Sequence, residues 1–175
     1  MSLLNKSNII NLNNKQQPAV QPSLSKGLYS WMMFLINLYN RVKKDLSIDF
    51  DSFIIMQLVV SDYLYKTNKN SSKNFVELEK ELQEEAIIKN NFKFKKLNFA
   101  SIAQVLNLPR ETVRRKILNL SNKNILQYDS KGITLGSEYN NIFKKFVSQS
   151  LDEMSLLMKK SKQDGSLDKM LNYNE

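Results

Sequence analysis

Residues 98–135 read NFASIAQVLNLPRETVRRKILNLSNKNILQYDSKGITL, and this stretch decides which fold the sequence predicts. It contains two short helical patterns separated by a tight turn, followed by two strand patterns around a turn that includes Gly132. Apolar side chains at helical spacing give each helix one face to bury, namely Ile102, Ala103 and Leu106 in the first and Val113, Ile117 and Leu120 in the second. Helix, helix and hairpin in this order predict a winged helix-turn-helix.

Local signals mark where the second helix begins and ends. Pro109 has no backbone N–H to leave unpaired, so it suits a helix start. The carboxylate of Glu111 falls in the first turn, where the positive end of the helix dipole stabilises it. Asn124 follows the last helical residues, and asparagine tolerates the left-handed conformation that often ends a helix. We therefore expect the second helix at residues 110–121 and the hairpin, as a wing, at residues 125–135.

The outward face of the second helix is rich in arginine. Arg110, Arg114 and Arg115 stand there beside Glu111. Arginine pairs well with the acceptors of guanine and glutamate with the amino group of cytosine, so this face suits the readout of a DNA major groove. Contacts to phosphates, or a role in orienting the module, are expected of Arg114, Thr112, Ser101 and Asn98. Lys131, at the tip of the wing, is expected to reach the neighbouring DNA backbone or the minor groove.

The segment RETVRR at residues 110–115 resembles the recognition helix of the cyclic-AMP-receptor/Fnr family of bacterial regulators, whose pattern is RETV, any residue, then Arg. The motif implies that Arg110, Glu111 and Arg115 read base edges, and the winged-helix pattern around it, residues 98–135, covers roughly a fifth of the chain. Nothing upstream resembles the glycine-rich cyclic-nucleotide barrel of that family, since the chain has only 4 Gly. The flanking helices instead resemble the layout of MarR-type regulators, so no single family is assigned.

Positive charge is concentrated in the same segment. Between Lys93 and Lys131 there are nine lysines and arginines against two acids, so this segment carries seven of the chain's formal net charge of +9. Such a concentration is the usual footprint of a surface that contacts phosphates. The sequence therefore predicts binding to double-stranded DNA.

The lack of cysteine and histidine makes an enzyme or a metal-binding protein an unfavourable prediction. The chain has no cysteine, which excludes a disulfide or a thiolate metal site, and no histidine, the commonest metal ligand and general base. The acids between Glu77 and Glu85 follow one helix and are expected to form a solvated face. The sequence has no glycine-rich phosphate loop or nucleophile elbow. We expect no catalytic residue, no metal site and no cofactor.

The rest of the chain divides into flanking segments. Residues 1–26 are rich in Asn, Gln, Ser and Pro and are expected to form a disordered arm without the features of a secretory signal. The apolar run at residues 28–39 is too short to span a bilayer, so a cytoplasmic protein without membrane contact is expected. The expected segments are the arm, a helical region at 27–92, the DNA-binding domain at 93–136, a helix at 137–163 and a flexible tail at 164–175.

Two flanking helices carry heptad-like apolar patterns. Steps of four and three residues join Leu28, Met32, Leu35, Tyr39, Val42 and Leu46. A second stripe beside this seam contains Trp31, Phe34 and Leu38. The pattern recurs towards the other end of the chain at Phe143, Val147, Leu151, Met154 and Met158. These helices either fill the core or form a homodimer interface, which would set two reading heads on two half-sites of DNA.

The combined expectation is a mainly α-helical homodimer with a β-hairpin wing, which binds specific DNA sequences and regulates transcription. The sequence indicates no effector ligand. Winged helices also serve in protein–protein interaction subunits, which is the alternative from another functional class. A replication or partition factor would use the same DNA contacts and stays open as well.

Overall fold

The computed structural model of the protein describes residues 24–69, 72–87, 97–130 and 132–172. Within these ranges the fold is mainly helical, with a small antiparallel β-hairpin, as the sequence predicts. The elements in chain order are α1 (Leu24–Asp45), α2 (Phe50–Asn68), α3 (Phe75–Ile87), α4 (Phe99–Leu106), α5 (Arg110–Asn122), β1 (Leu126–Asp129), β2 (Gly132–Leu135), α6 (Tyr139–Ile142), α7 (Ser148–Gln163) and α8 (Ser166–Leu171). A π-helical segment, Phe143–Val147, joins α6 to α7 without a break.

Helix α2 lies at the centre of the core. Asp49 caps its N-terminus, since the carboxylate accepts hydrogen bonds from the backbone N–H of Ser52 at 2.9 Å and from its hydroxyl at 3.1 Å. Ile55, Met56 and Val59 are almost fully buried along the helix. Residues from α1, α4, α5, both strands and α6 join the same buried cluster. The segment that the sequence predicts to bind DNA and the predicted flanking helices therefore share one core.

The hairpin is pinned to the chain that precedes α4. Strands β1 and β2 pair antiparallel with Leu126 opposite Leu135. Leu97 forms a β-bridge with Ile133, whose backbone N–H donates to the Leu97 carbonyl at 3.0 Å. The side chains of Leu126 and Ile133 are buried, so one face of the hairpin closes the core.

The junction between α5 and the hairpin depends on a close approach of two backbone segments. Asn124 ends α5 in the left-handed conformation with φ of 55°, as predicted. Its carbonyl accepts from the N–H of Glu138 at 3.0 Å, and the N–H of Gly136 donates to the carbonyl of Ile125 at 2.8 Å. A Cβ atom on Gly136 would lie 2.1 Å from the carbonyl oxygen of Asn124, so this approach requires glycine.

Helices α1 and α7 pack antiparallel. Arg41, near the end of α1, meets the start of α7: its Nη2 lies 3.1 Å from Oγ of Ser150 and 3.2 Å from Oε2 of Glu153. The same guanidinium lies over the ring of Phe146, 4.9 Å from the ring centroid. At the opposite end of α1, Gly27 lies against α8, which follows the end of α7.

Two of the predicted boundaries need correction. Helix α1 begins at Leu24, so the last three residues of the predicted disordered arm are helical, while residues 1–23 lie outside the described ranges. The predicted flexible tail contains helix α8. Gly165 turns the chain with φ of 73°, and Ser166 is fully buried against Gly27. Small residues give no hydrophobic signal, which is why the apolar pattern missed this contact.

The apolar run of α1 does not make a membrane-spanning helix. Among the helices that the structure describes, none is long and apolar enough to cross a bilayer.

Candidate nucleic-acid interface

The tight turn between α4 and α5 is built from backbone conformations that the sequence encodes locally. Asn107 ends α4 in the left-handed conformation with φ of 51°. The N–H of Leu108 then donates to the carbonyl of Ala103 at 3.0 Å, and the half-buried Leu108 side chain packs on the core. Pro109 is the N-cap of α5, where its missing N–H costs nothing. The turn thus fixes the angle at which α5 leaves α4.

Asn98 and Ser101 form a capping box at the start of α4. The Asn98 side chain accepts from the Ser101 N–H at 2.9 Å, and the Ser101 hydroxyl accepts from the Asn98 N–H at 3.0 Å. The hydroxyl also donates to the Asn98 carbonyl at 2.9 Å. The sequence predicts that these residues contact phosphates or orient the module, and a capping box of this kind can orient α4. A phosphate contact through either side chain stays a prediction.

Helix α5 buries one face and presents the other. Val113, Ile117 and Leu120 are fully buried, as the helical spacing predicts. Arg110 and Arg115 are exposed, and neither makes a hydrogen bond or an ion pair with any residue in the described ranges. Two guanidinium groups on this face are therefore available for a ligand of negative charge.

Glu111 and Arg114 form a bidentate ion pair on the same face. Nε and Nη2 of Arg114 donate to the two carboxylate oxygens of Glu111 at 2.8 and 2.7 Å. The hydrogen bond from Arg114 holds the pKa of Glu111 below its usual value, with a smaller coulombic contribution from Arg115, and the same pairing raises the pKa of Arg114. Both side chains are exposed. The expected base contact of Glu111 and phosphate contact of Arg114 would compete with this pair.

Thr112 and Lys131 complete the set of predicted contact residues. Thr112 is half-buried on α5, beside the exposed arginines. Lys131 lies outside the described residues, between the ends of β1 and β2. The structure thus brings Arg110, Glu111, Arg114 and Arg115 together on the outer face of α5, and it places Asn98 and Ser101 at the start of α4.

Two lysines counted in the basic segment serve the fold. Nζ of Lys116 lies 2.7 Å from Oδ1 of Asp49 and 3.3 Å from Oδ2 of Asp51, and its side chain is only 15% exposed. Nζ of Lys123 donates to the carbonyl of Ser47 at 2.8 Å. The charge count of the sequence therefore overstates the free positive charge of the module. The signal for Lys116 was available, since it stands three and four residues from the buried Val113 and Leu120.

Strand β1 carries an exposed aromatic residue that is absent from the contact residues predicted from the sequence. The ring of Tyr128 on β1 lies 4.7 Å, centroid to centroid, from the ring of Phe99 at the start of α4. Tyr128 is 49% exposed and close enough to Arg114 to interact with it electrostatically. By the alternation of β1, Tyr128 lies on the same side as the buried Leu126 and opposite the buried Ile133, yet it is itself about half exposed. A phenol beside the arginine face can donate a hydrogen bond to a phosphate.

In the part of the chain that the structure describes, no group of three or more acidic side chains could hold a metal ion. No family model, curated protein or solved structure matches the chain.

Proposed function

We propose that residues 97–135 form a winged helix-turn-helix that binds double-stranded DNA, with α5 in the major groove and the β1–β2 hairpin as the wing. The protein would act as a sequence-specific regulator of transcription. The observation that carries the proposal is that α5 has one buried face, which anchors it, and one exposed face, which presents arginines. Its inner face is anchored by three buried aliphatic side chains, while Arg110 and Arg115 face outward without an ion pair in the described ranges.

The positioning of α5 supports this function because a reading helix must be held rigidly. The turn at Asn107 and Pro109 sets its N-terminal end, and the ion pair from Lys116 to Asp49 fixes its side against α2. The bridge from Leu97 to Ile133 holds the hairpin beside α4. A helix held at its N-terminal end and along one side can present its arginines at a defined register, which base readout requires.

The experiment is a titration of a fluorescent duplex with the full chain at several salt concentrations. Each phosphate contact contributes about −0.9 to the slope of log affinity against log salt, so two reading heads should give a slope between roughly −4 and −8. The double variant Arg110→Ala with Arg115→Ala should bind much more weakly. Lys80→Ala, which removes an exposed lysine on α3, should bind as the wild type does.

A salt-insensitive complex, or no binding at low salt, would overturn the proposal. The surface would then favour the alternative from the sequence, an interaction module for another protein. Selection of bound sequences from a random duplex pool would test the regulatory part, since a regulator enriches a motif whereas a non-specific binder does not.

A further inference from the structure

None of the residues that the structure describes covers one apolar face of helix α1 over most of its length. Arg41 is buried against α7 and Gly27 against α8, and the buried Phe34, seven residues from each, falls on the same side of α1; Val42 is fully buried in the core. Leu38 is half-buried on the core, whereas eight large apolar side chains of α1 are exposed by 37–68%, namely Leu28, Tyr29, Trp31, Met32, Met33, Leu35, Ile36 and Tyr39. The heptad-like seam predicted from the sequence therefore has two parts. Its last two residues, Val42 and Leu46, pack in the core, whereas its first four, from Leu28 to Tyr39, are exposed.

The apolar pattern that leads into helix α7 is likewise buried in its first part and exposed in its second. Phe143 and Phe146, in the π-helical segment before it, are buried, and Val147 packs on the core. Further along, Leu151, Met154 and Met158 are exposed by 47%, 40% and 45%. The apolar pattern that begins in the core thus continues into solvent on both helices.

The exposed strips of α1 and α7 lie on the same side of the helix pair. On α1, Leu35 follows the buried Phe34 by one residue, a rotation of about 100° from the contact face. On α7, Met158 follows the buried Leu157 by one residue, a rotation of the same sense. Because the helices are antiparallel, equal rotations from their shared contact lead to the same side. Together the strips form one surface, which we name the α1–α7 face: Leu28, Trp31, Met32, Leu35, Tyr39, Leu151, Met154 and Met158.

The size of the α1–α7 face matches a stable protein interface. Eight large side chains that are each about half exposed present on the order of 700 Å² of mostly apolar surface. The largest apolar patch of a typical monomer is roughly 300–600 Å². A standard interface buries about 800 Å² from each partner. An apolar surface of this size is suited to permanent burial against another protein surface.

The absence of charged residues from most of α1 indicates which kind of partner the α1–α7 face suits. Residues 27–40 contain no lysine, arginine, aspartate or glutamate. A helix that binds a lipid surface usually carries basic residues on its polar side, and a helix that binds nucleic acid needs them as well. The spacing of Leu28, Met32, Leu35 and Tyr39 at four, three and four residues is the spacing with which one helix packs on another.

We propose that a second copy of this chain covers the α1–α7 face, so that the two helix pairs form a four-helix interface around a twofold axis. Twofold dimers bury the same patch on both protomers, and a pair of antiparallel helices packs readily on its own copy as a four-helix bundle. This proposal is independent of DNA binding. Should DNA binding also hold, the dimer would carry two α5 helices.

The test measures the mass of the full chain in solution, without DNA, by light scattering and sedimentation. At micromolar concentration the wild type should have about twice the chain mass of 20.4 kDa. Leu35→Lys and Met158→Lys each place a charge in the interface and should weaken the dimer by roughly 100-fold or more. Both residues are exposed in the protomer, so each variant should keep the wild-type circular dichroism.

The chain offers matched controls. Met33 and Leu156 are exposed by 37% and 53%, but each precedes its buried neighbour by one residue and so points to the other side of the helix pair. Met33→Lys and Leu156→Lys should therefore remain dimeric. A monomeric wild type would overturn the proposal and leave the face to a different partner. Equal effects of Leu35→Lys and Met33→Lys on the dimer would overturn it too.

Discussion

Lys116 of α5 forms an ion pair with Asp49, the residue that caps α2, with 2.7 Å between Nζ and Oδ1. The lysine stands on the flank of the buried face of α5, and its side chain is 15% exposed against 56% for Asp49. Asp51, at 3.3 Å, adds a second carboxylate. This contact couples the helix that we propose to read DNA to the central helix of the core.

The first prediction concerns the stability of this link at low pH. Burial alone would raise the pKa of Asp49, but hydrogen bonds from Lys116 and Ser52 outweigh it and lower the pKa. The ionised carboxylate therefore stabilises the fold above about pH 4, and this contribution is lost as the pH falls through the folded pKa. Asp49→Asn keeps a good helix cap and removes the charge. It should cost about 0.5–1 kcal/mol at neutral pH, because the pair is partly exposed.

Urea unfolding at decreasing pH measures this difference. The gap between wild type and Asp49→Asn should close once the pH lies below the folded pKa of Asp49. Glu84→Gln serves as the control, since Glu84 pairs with Lys80 at 3.8 Å on the exposed surface of α3 and should change stability little. A gap that stays constant down to strongly acidic pH would mean that the charge of Asp49 does not matter.

The second prediction tests the junction of α5 with the hairpin. Gly136→Ala should destabilise the fold by about 1–3 kcal/mol, the usual cost of forcing atoms into a packed site. The reason is steric, since the new Cβ would lie 2.1 Å from the carbonyl oxygen of Asn124. Ser137→Ala, at the exposed neighbouring position, should have no comparable effect. Denaturant titration of both variants measures their free energies of unfolding. Equal values for Gly136→Ala and Ser137→Ala would show that the two backbone segments can move apart without cost.

Much of the fold could be predicted because its signals are local. The apolar spacing of Val113, Ile117 and Leu120 identifies the buried face of α5, and Asn124 marks its end. The hairpin follows from two short apolar strands around a turn with Gly132. These features depend on residues close in sequence, so no knowledge of the tertiary structure was needed to find them.

The remainder depends on contacts between distant residues, which spacing alone does not encode. The charge count of the sequence includes Lys116, yet this lysine pairs with an acid 67 positions earlier. The apolar pattern does not predict helix α8, because Ser166 packs on Gly27, where small size permits contact without a hydrophobic signal. The spacing in α1 predicts a single stripe, although the core covers only its end at Val42 and Leu46.

The third prediction concerns the ion pair between Glu111 and Arg114. Glu111→Gln removes a negative charge from the proposed interface and releases the guanidinium of Arg114. Affinity for random-sequence duplex should rise by about 3–10-fold at low salt, with a salt slope steeper by about one. Fluorescence anisotropy at several salt concentrations measures both quantities. Asp152→Asn, which removes an exposed acid from α7, is the control and should leave both unchanged.

A weaker affinity of Glu111→Gln for every duplex would contradict this view of the pair. Glu111 would then position Arg114 for its phosphate rather than compete with it. If Glu111 also accepts from a cytosine amino group, the variant should lose about 1–3 kcal/mol of discrimination at that one base pair.

The last prediction separates base reading from phosphate contact. Arg115 is exposed on α5 without an ion pair in the described ranges, and arginine pairs best with the O6 and N7 acceptors of guanine. A preferred half-site with at least one G·C pair is therefore expected. Arg115→Ala should cost about 1–3 kcal/mol on the preferred site and change non-specific binding little. Lys131→Ala, at the residue between β1 and β2 in sequence, should weaken all sequences alike and make the salt slope shallower by about one.

Binding of both variants to a selected site and to a scrambled duplex of equal length distinguishes the two roles. A base contact is lost only on the selected site, because the scrambled duplex does not present guanine at the position that the arginine would read. A phosphate contact is lost on both, because every duplex offers the same backbone. If Arg115→Ala weakened both duplexes equally, Arg115 would be a phosphate contact, and the base-reading role that RETVRR implies would have to pass to Arg110.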